Sequence, residues 1–251
     1  MMLLEGKVAL ITGSVRGTGA GIARVFARAG ARVVLNQVHD EGHPQQVLDE
    51  IQHEGGQATF VKADIGDEAQ VKTMVQQAEH AFGQVDILVN NYAAPLPRTG
   101  FSDSTWAAWQ EQIDYTVKAA FFCCQAVLPG MQARRWGRII SINTVGIHQP
   151  ALTYHGYTAA KTAMLGFTRN LAVEVGQYNI TANIVSPGLT LTEEVRSRLS
   201  PEEQERRAQQ IPLRRLGTVE DTANVALFLA SDLGSFVTGL YIPVCGGQVM
   251  E

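Results

Sequence analysis

Disulfide and metal chemistry have little to work with in this chain: of 251 residues only three are cysteine, Cys123, Cys124 and Cys245. The count is odd and two of them are adjacent inside an apolar run, which argues against a disulfide framework and against a cysteine metal site. A reduced, cytoplasmic setting with no bound metal is expected. Long hydrophobic runs are also lacking, since no apolar stretch reaches the roughly 18 residues that a membrane span needs. The opening MMLLEGKVALI has no basic segment, sustained apolar core or cleavage site of the secretory kind. Neither a leader nor a membrane partner is expected. Excess positive charge is missing too: the formal net charge is −4, without the basic surplus that neutralises phosphate backbones, so no nucleic acid partner is expected.

What is present is a regular alternation. VALI (8–11) is a short apolar run, followed by glycines and then AGIARVFARAG, whose Ile22, Val25, Phe26 and Ala29 recur at helical spacing until Gly30. ARVVLN reads as strand, VLDEIQHEGG as helix, ATFVKAD as strand, the stripe Val71, Met74, Val75, Ala78 and Phe82 as helix, and DILVNN as a fourth strand. A Pro-containing loop (94–100) leads to a long helical stretch over 104–131, strand GRIISI, a helix over 154–174, strand ITANIV, a core helix in TVEDTANVALFLAS and a last strand in GLYIPV.

Such alternation predicts a parallel sheet whose right-handed crossovers cover both faces. The expected fold is α/β, a doubly wound Rossmann-type three-layer sandwich with a parallel sheet of about seven strands, one domain over 1–251, and ligands at the carboxyl strand ends. One segment breaks the rhythm: residues 189–217 are rich in charge and poor in β-branched side chains. It reads as a small helical excursion, either a solvated insertion or a substrate lid over 188–215.

Between the first strand and its helix stand Gly13, Gly17 and Gly19. Glycine lets backbone approach a pyrophosphate while helix N–H groups point at it, so this turn predicts a dinucleotide site. An acidic residue ending the second strand would bind the ribose 2′-hydroxyl of NAD and repel a 2′-phosphate. Here that strand ends VVLNQ, with neutral Asn36, and Arg16 in the turn offers a guanidinium suited to phosphate. NADP(H) is therefore favoured over NAD(H). Asp40, four residues on, could instead take the acidic role, and Arg16 could be a solvated loop charge.

In INTVGIHQPALTYHGYTAAK (142–161) a Tyr and a Lys stand four positions apart, Tyr157 and Lys161, and Thr144 precedes Tyr157 by thirteen residues. Positions i and i+4 share a helix face, so both can point into one cleft. A phenol near pKa 10 is a poor base at neutral pH, and bringing it to about 7 needs roughly 4 kcal/mol of phenolate stabilisation, which a neighbouring ammonium can supply. Thr144 keeps a hydroxyl for a carbonyl oxygen, a threonine merely finishing a strand being the alternative.

Taken in order, these motifs resemble the short-chain dehydrogenases/reductases along essentially the whole chain. TGSVRGTG is similar to that family's T-G-x-x-x-G-x-G, VKADI to its adenine-side Asp, NNYA to its N-N-A-G, YTAAK to its Y-x-x-x-K and SPGLTLT to its P-G-x-x-x-T. GRIISI, RNLAVEV and IPLRRLG are most similar to the 3-oxoacyl-acyl-carrier-protein reductase type. The resemblance implies Tyr157 as proton donor, Lys161 holding the nicotinamide ribose, and Thr144 and Thr116 where the family has Ser and Asn. It implies a cofactor held by Gly13, Ser14, Arg16, Gly17, Thr18 and Gly19, its adenine near Asp64 and Ile65, its backbone along Asn90, Asn91, Tyr92 and Ala93, and its carboxamide near Pro187, Gly188, Thr190 and Thr192. Tyr92 replaces a small residue and either crowds the cofactor or simply packs. His148, Tyr154 and His155 flank the catalytic span and are candidates for the substrate pocket.

An acyl-carrier-protein substrate would want a basic docking surface, for which Arg134, Arg135 and Arg169 are candidates, but Val173 stands where related reductases often place Arg. A small ketone, aldehyde or acyl thioester is therefore preferred. An NAD-dependent alcohol or sugar dehydrogenase and a catalytically weak dinucleotide-binding sensor remain as alternatives. The apolar helices at 104–131 and 157–174 suggest a homo-oligomer, and the resemblance implies a tetramer.

Overall fold

The computed structural model describes residues 2–38, 43–96, 98–149 and 151–250. Seven parallel strands form one sheet in the order β3-β2-β1-β4-β5-β6-β7: β1 (Val8–Ile11), β2 (Arg32–Gln37), β3 (Gln57–Lys62), β4 (Ile87–Asn90), β5 (Gly137–Ile142), β6 (Ile180–Pro187) and β7 (Tyr241–Val244). Their β-branched runs suit strands buried on both faces, and successive residues supply the two cores in turn. Ala9, Ile11, Val33 and Leu35 face one cluster with Phe26 of α1 (Gly17–Arg28), Val47 and Ile51 of α2 (Pro44–His53) and Ala226 of α9 (Val219–Ala230). Val8, Leu10, Val34 and Leu88 face the other, with Met74 of α3 (Glu68–Phe82) and Cys123 of α5 (Ala119–Arg134). Between α5 and α9 in the chain lie α6 (His155–Val175), α7 (Glu193–Arg198) and α8 (Pro201–Ala208). The expected doubly wound α/β sandwich is observed.

The helical stretch expected over 104–131 is observed from Trp106 to Arg134, with a π-turn inside it. It consists of α4 (Trp106–Ile113), a π-turn at Asp114–Lys118 and then α5. One extra residue per turn shifts the apolar stripe, which a 3.6-residue template reads as a continuous helix; such π-bulges gather at functional sites. Residues 189–217 fold back on themselves. Leu191 N–H donates to Gly217 O at 2.8 Å and Gly217 N–H to Leu189 O at 3.1 Å, closing the base over a small core of Ala208, Ile211 and Leu216. No helix among the described residues is long and apolar enough to cross a membrane, and all three cysteines are buried free thiols.

The strand order reverses its direction of growth between β1 and β4. Loops leaving neighbouring strand ends there part to opposite faces, which opens a crevice.

Candidate active site

Gly13 (φ 61°) and Gly17 (φ 54°) adopt the left-handed backbone that side chains disfavour. Gly19 is constrained by space: a Cβ there would lie 2.3 Å from Gly13 O and 2.5 Å from Asn91 Nδ2. That closeness has a cause. Asn91 Nδ2 donates to both Thr12 O and Gly13 O at 2.9 Å, and Thr12 Oγ1 accepts from Asn91 N (2.9 Å) and Tyr92 N (3.1 Å). The end of β1 is thereby stitched to the end of β4. A cleft of about 550 Å³ opens over this seam, walled by Gly13, Arg16, Gly17, Thr18 and Gly19 on one side and by Gln37, Asn91, Tyr92, Ala93 and Thr192 on the others. The first turn of α1 has neither a side-chain cap nor an acidic residue, so its N–H groups and dipole are left for an anion. Cradle, volume and helix terminus fit a dinucleotide.

Two expectations for this region need correction. Asn36 is fully buried with its amide directed into the sheet, Nδ2 donating to Val61 O (3.2 Å) and Ala63 O (3.1 Å). The residue that faces the cleft at the end of β2 is Gln37, one position later, because successive strand residues point to opposite sides. Ser14 also faces inward: its hydroxyl donates to Ile11 O (2.8 Å) and accepts from Asn36 N (3.0 Å), bracing the turn rather than lining the cleft. Asp40 lies outside the described residues. At the end of β3, Asp64 is already engaged, Oδ1 accepting from Gly66 N (2.8 Å) and Oδ2 from the Tyr115 hydroxyl (3.2 Å), while Ile65 is buried. Tyr92 stacks obliquely on Tyr115 with centroids 5.4 Å apart, and burial pushes its phenol up to about 12. Asn90 Nδ2 reaches Cys124 Sγ at 3.7 Å.

The second cluster stands past the end of β5. Thr144 Oγ1 accepts from Gly146 N at 3.0 Å, and its hydroxyl pulls the Tyr157 phenol's pKa down, partly against the effect of burial. Lys161, one turn along α6 from Tyr157, is 4% exposed and its Nζ donates to Ile142 O at 2.7 Å. Asn143, absent from the sequence expectations, links the pieces: its Nδ2 donates to Lys161 O and its Oδ1 accepts from Thr144 N, both at 2.9 Å.

The electrostatics differ from the expectation. Burial pushes the Tyr157 phenol up to about 12, partly offset by the Thr144 hydrogen bond, and lowers Lys161 to about 8. The ammonium sits 5.8 Å from the phenol ring centroid. In the unliganded protein desolvation therefore outweighs any lowering of Tyr157 by Lys161.

Thr116 occupies the π-turn, 6% exposed, and its Oγ1 has no hydrogen-bond partner among the described residues. It borders a narrow cavity of about 10 Å³, roughly the space for one water centre, shared with Lys161, Asn90, Ser141 and Tyr92. Tyr92 also borders the large cleft, so the two spaces adjoin. Tyr154 meets Tyr157 edge to face at 6.1 Å, whereas the ring of His148 lies edge-on to Tyr241 at 5.1 Å. His155 meets Phe101 at 5.3 Å.

Pro187 ends β6, and Gly188 N donates to Val244 O at 3.1 Å. Thr190 Oγ1 donates to Gly188 O (3.2 Å), and Thr192 caps α7 by accepting from Val195 N (3.3 Å). The arginines suggested for docking are partly engaged within the chain. Arg134 binds Val85 O (2.8 Å) and Asp86 (3.4 Å), and Arg135 binds Gln177 O (2.7 Å); Arg169 is exposed on α6.

Comparison with known proteins agrees with this geometry. Residues 13–248 match the family model described as enoyl-(acyl carrier protein) reductase. The chain is 36% identical to the 7alpha-hydroxysteroid dehydrogenase of Escherichia coli over 99% of its own length and 96% of that protein. It is 34% identical to the 3-oxoacyl-[acyl-carrier-protein] reductase of Staphylococcus aureus, covering 97% of this chain and 98% of the other. A solved 7alpha-hydroxysteroid dehydrogenase, complexed with NADH and 7-oxo glycochenodeoxycholic acid, superposes with a TM-score of 0.92 at 36% identity, over 100% of this chain and 97% of that one.

Proposed function

Because the chain belongs to the short-chain dehydrogenase/reductase family, oxidoreductases acting on CH–OH and C=O groups, we propose that it is an NADPH-dependent reductase of a ketone, aldehyde or 3-oxoacyl-type carbonyl. The observation that carries this reading is the Tyr157 phenol on α6 with the buried Lys161 Nζ 5.8 Å from its ring centroid and bonded to Ile142 O.

A nicotinamide dinucleotide, when bound, supplies the hydride. The glycine turn and the α1 terminus would hold its pyrophosphate, Asp64 and Ile65 its adenine, Asn90 to Ala93 its backbone, and Pro187, Gly188, Thr190 and Thr192 its carboxamide. Tyr157, kept protonated by burial, would give its proton to the carbonyl oxygen as negative charge builds there. Thr144 would donate a hydrogen bond to the same oxygen. Lys161 would stabilise the phenolate left behind, and Thr116 would anchor a water relay returning a proton to it. Tyr154 would form a wall of the substrate pocket, and residues 188–215 would close over it as a lid.

Gln37 brings no charge to the cleft, and Arg16, which lines it together with Glu193 and Glu194, would be the group that meets a 2′-phosphate; the NADH in the similar solved structure makes this a point to test. Arg16→Ala is expected to weaken NADPH binding by about 10- to 100-fold, the loss of a charge-assisted phosphate contact, and NADH binding by less than about twofold. Titration of each nucleotide by fluorescence decides it, and equal losses would overturn the NADP(H) preference.

The reading as an enzyme is tested by following NADPH and NADH oxidation with small ketones, a 3-oxoacyl thioester, acyl-carrier-protein conjugates and 7-oxo bile acids. Tight nucleotide binding with no turnover on any of them would favour the sensor alternative. Faster alcohol oxidation with NAD would favour the dehydrogenase reading, which the 7alpha-hydroxysteroid dehydrogenase similarity supports.

A pH dependence follows from Lys161. Its lowered pKa means the ammonium is present below about 8 and lost above it. The reductive kcat/KM measured at limiting cofactor, which reports the free enzyme, is expected to be level from pH 6 to about 7.5 and to fall through about 8. A level profile to pH 9.5 contradicts the role given to Lys161. Exposed Phe121, Val173, Phe236 and Leu240 support assembly as a homo-oligomer, proposed here as a tetramer in the cytoplasm.

A further inference from the structure

We infer that Tyr241 is a positioning residue for Thr144, an assignment that rests on the function proposed above. Thr144 lies two residues beyond the end of β5, where the sheet ladder has run out; the last such bond is Asn143 N–H to Val185 O at 2.8 Å. Each remaining polar group of Thr144 is nevertheless held. Its N–H donates to Asn143 Oδ1 (2.9 Å), its Oγ1 accepts from Gly146 N (3.0 Å), and its carbonyl accepts from the Tyr241 hydroxyl at 3.1 Å. The first two partners are chain neighbours and move with Thr144. Tyr241 belongs to a different strand.

The distance explains the residue type. In the sheet register Tyr241 pairs with Ile184, which pairs with Ser141 on β5, so two strand spacings, roughly 10 Å, separate β7 from the strand that ends before Thr144. A long, stiff side chain with a terminal donor suits such a span. The ring is itself fixed, being 9% exposed and flanked edge-on by His148 at 5.1 Å, whose N–H closes the turn onto Val145 O at 3.0 Å. His148, which plays no part in the proposed proton transfer, thus supports Tyr241.

The consequence concerns threonine in particular. A β-branched side chain is stiff at χ1, so the direction of Oγ1 is set by the backbone beneath it. Serine could re-aim its hydroxyl by rotation at little cost. Threonine depends on a backbone held in place, and Tyr241 supplies that hold from outside the loop.

Tyr241→Phe keeps the ring and removes the donor. The expected result is a kcat about 5- to 10-fold lower, the effect of one lost hydrogen bond, with KM and NADPH affinity within about twofold of the parent. In a Thr144→Ser background the same change should lower kcat by less than about twofold, and in Thr144→Ala it should add nothing, because residues acting as one unit are non-additive. An unchanged kcat, or the same loss in all three backgrounds, overturns the assignment and leaves Tyr241 a plain packing residue. Tyr157→Phe run alongside separates the two claims: if that variant keeps its turnover, the proposed function fails instead. Should Tyr241→Phe not fold, His148→Ala is read the same way, with a twofold to threefold lower kcat at constant KM expected and no change counting against the inference.

Discussion

Tyr157→Phe is expected to lower turnover by about 10³-fold, within the 10²- to 10⁴-fold range general acid catalysis supplies, while leaving dinucleotide affinity within about twofold. The substitution removes one oxygen from a half-buried ring and retains the edge-to-face contact with Tyr154, so the fold has little reason to change. What disappears is the proton that burial holds on the phenol. Thr144 keeps its hydroxyl and its bond from Gly146 N, but threonine is a far weaker acid than a phenol and does not replace it. Lys161 keeps its bond to Ile142 O without a phenolate to stabilise. Single-turnover hydride transfer, followed by loss of NADPH absorbance, separates this chemical defect from a binding defect. A variant retaining more than about a tenth of the parent rate would remove Tyr157 from the mechanism.

That the dyad stands out in the sequence, while its supports do not, has a physical basis. Tyr157 and Lys161 fall at i and i+4 on one helix, a relation local in the chain and fixed by helical geometry. The strands are equally local: VALI, RVVL and ITANIV carry the β-branched runs that strands buried on both faces require. The sequence points to Asn36 where the structure turns Gln37 to the cleft, because the point where a strand hands its last side chain to the cleft depends on register with β1 and β3, which composition does not encode. The π-turn at Thr116 is masked by an otherwise good helical pattern. Asn91, Asn143 and Tyr241 act over separations of 79, 18 and 97 residues. Their side chains meet partners chosen by sheet order, and a single chain read along its length carries no sign of such pairings beyond the N-N of the fourth strand.

The turn makes the second large prediction. Gly19→Ala adds one methyl, yet its Cβ would lie 2.3 Å from Gly13 O, well inside contact distance, and 2.5 Å from the Asn91 Nδ2 that binds that carbonyl. Neither atom can retreat freely. Gly13 is held in left-handed backbone at φ 61° with Tyr92 Cα 2.9 Å from where its own Cβ would stand, and Asn91 is tied to Thr12 O as well. The turn must open, breaking one or both Asn91 bonds and displacing the start of α1 from the seam between β1 and β4. Loss of about 2 to 3 kcal/mol of stability is expected from the broken buried bonds and overpacking, a fall of roughly 5 to 10 °C in Tm for a chain this size. Dinucleotide affinity should fall by about 100-fold or more, since the N–H groups that face the pyrophosphate would no longer converge. Gly176→Ala provides the contrast: its backbone is helical at φ −56°, with nothing within 4 Å of the new carbon, and the same substitution there should be neutral or stabilising by up to about 1 kcal/mol. Nucleotide titration and thermal unfolding of both variants test the pair. If Gly19→Ala binds NADPH as the parent does, the pyrophosphate is not held at this turn, and the cleft between β1 and β4 loses its claim to the cofactor.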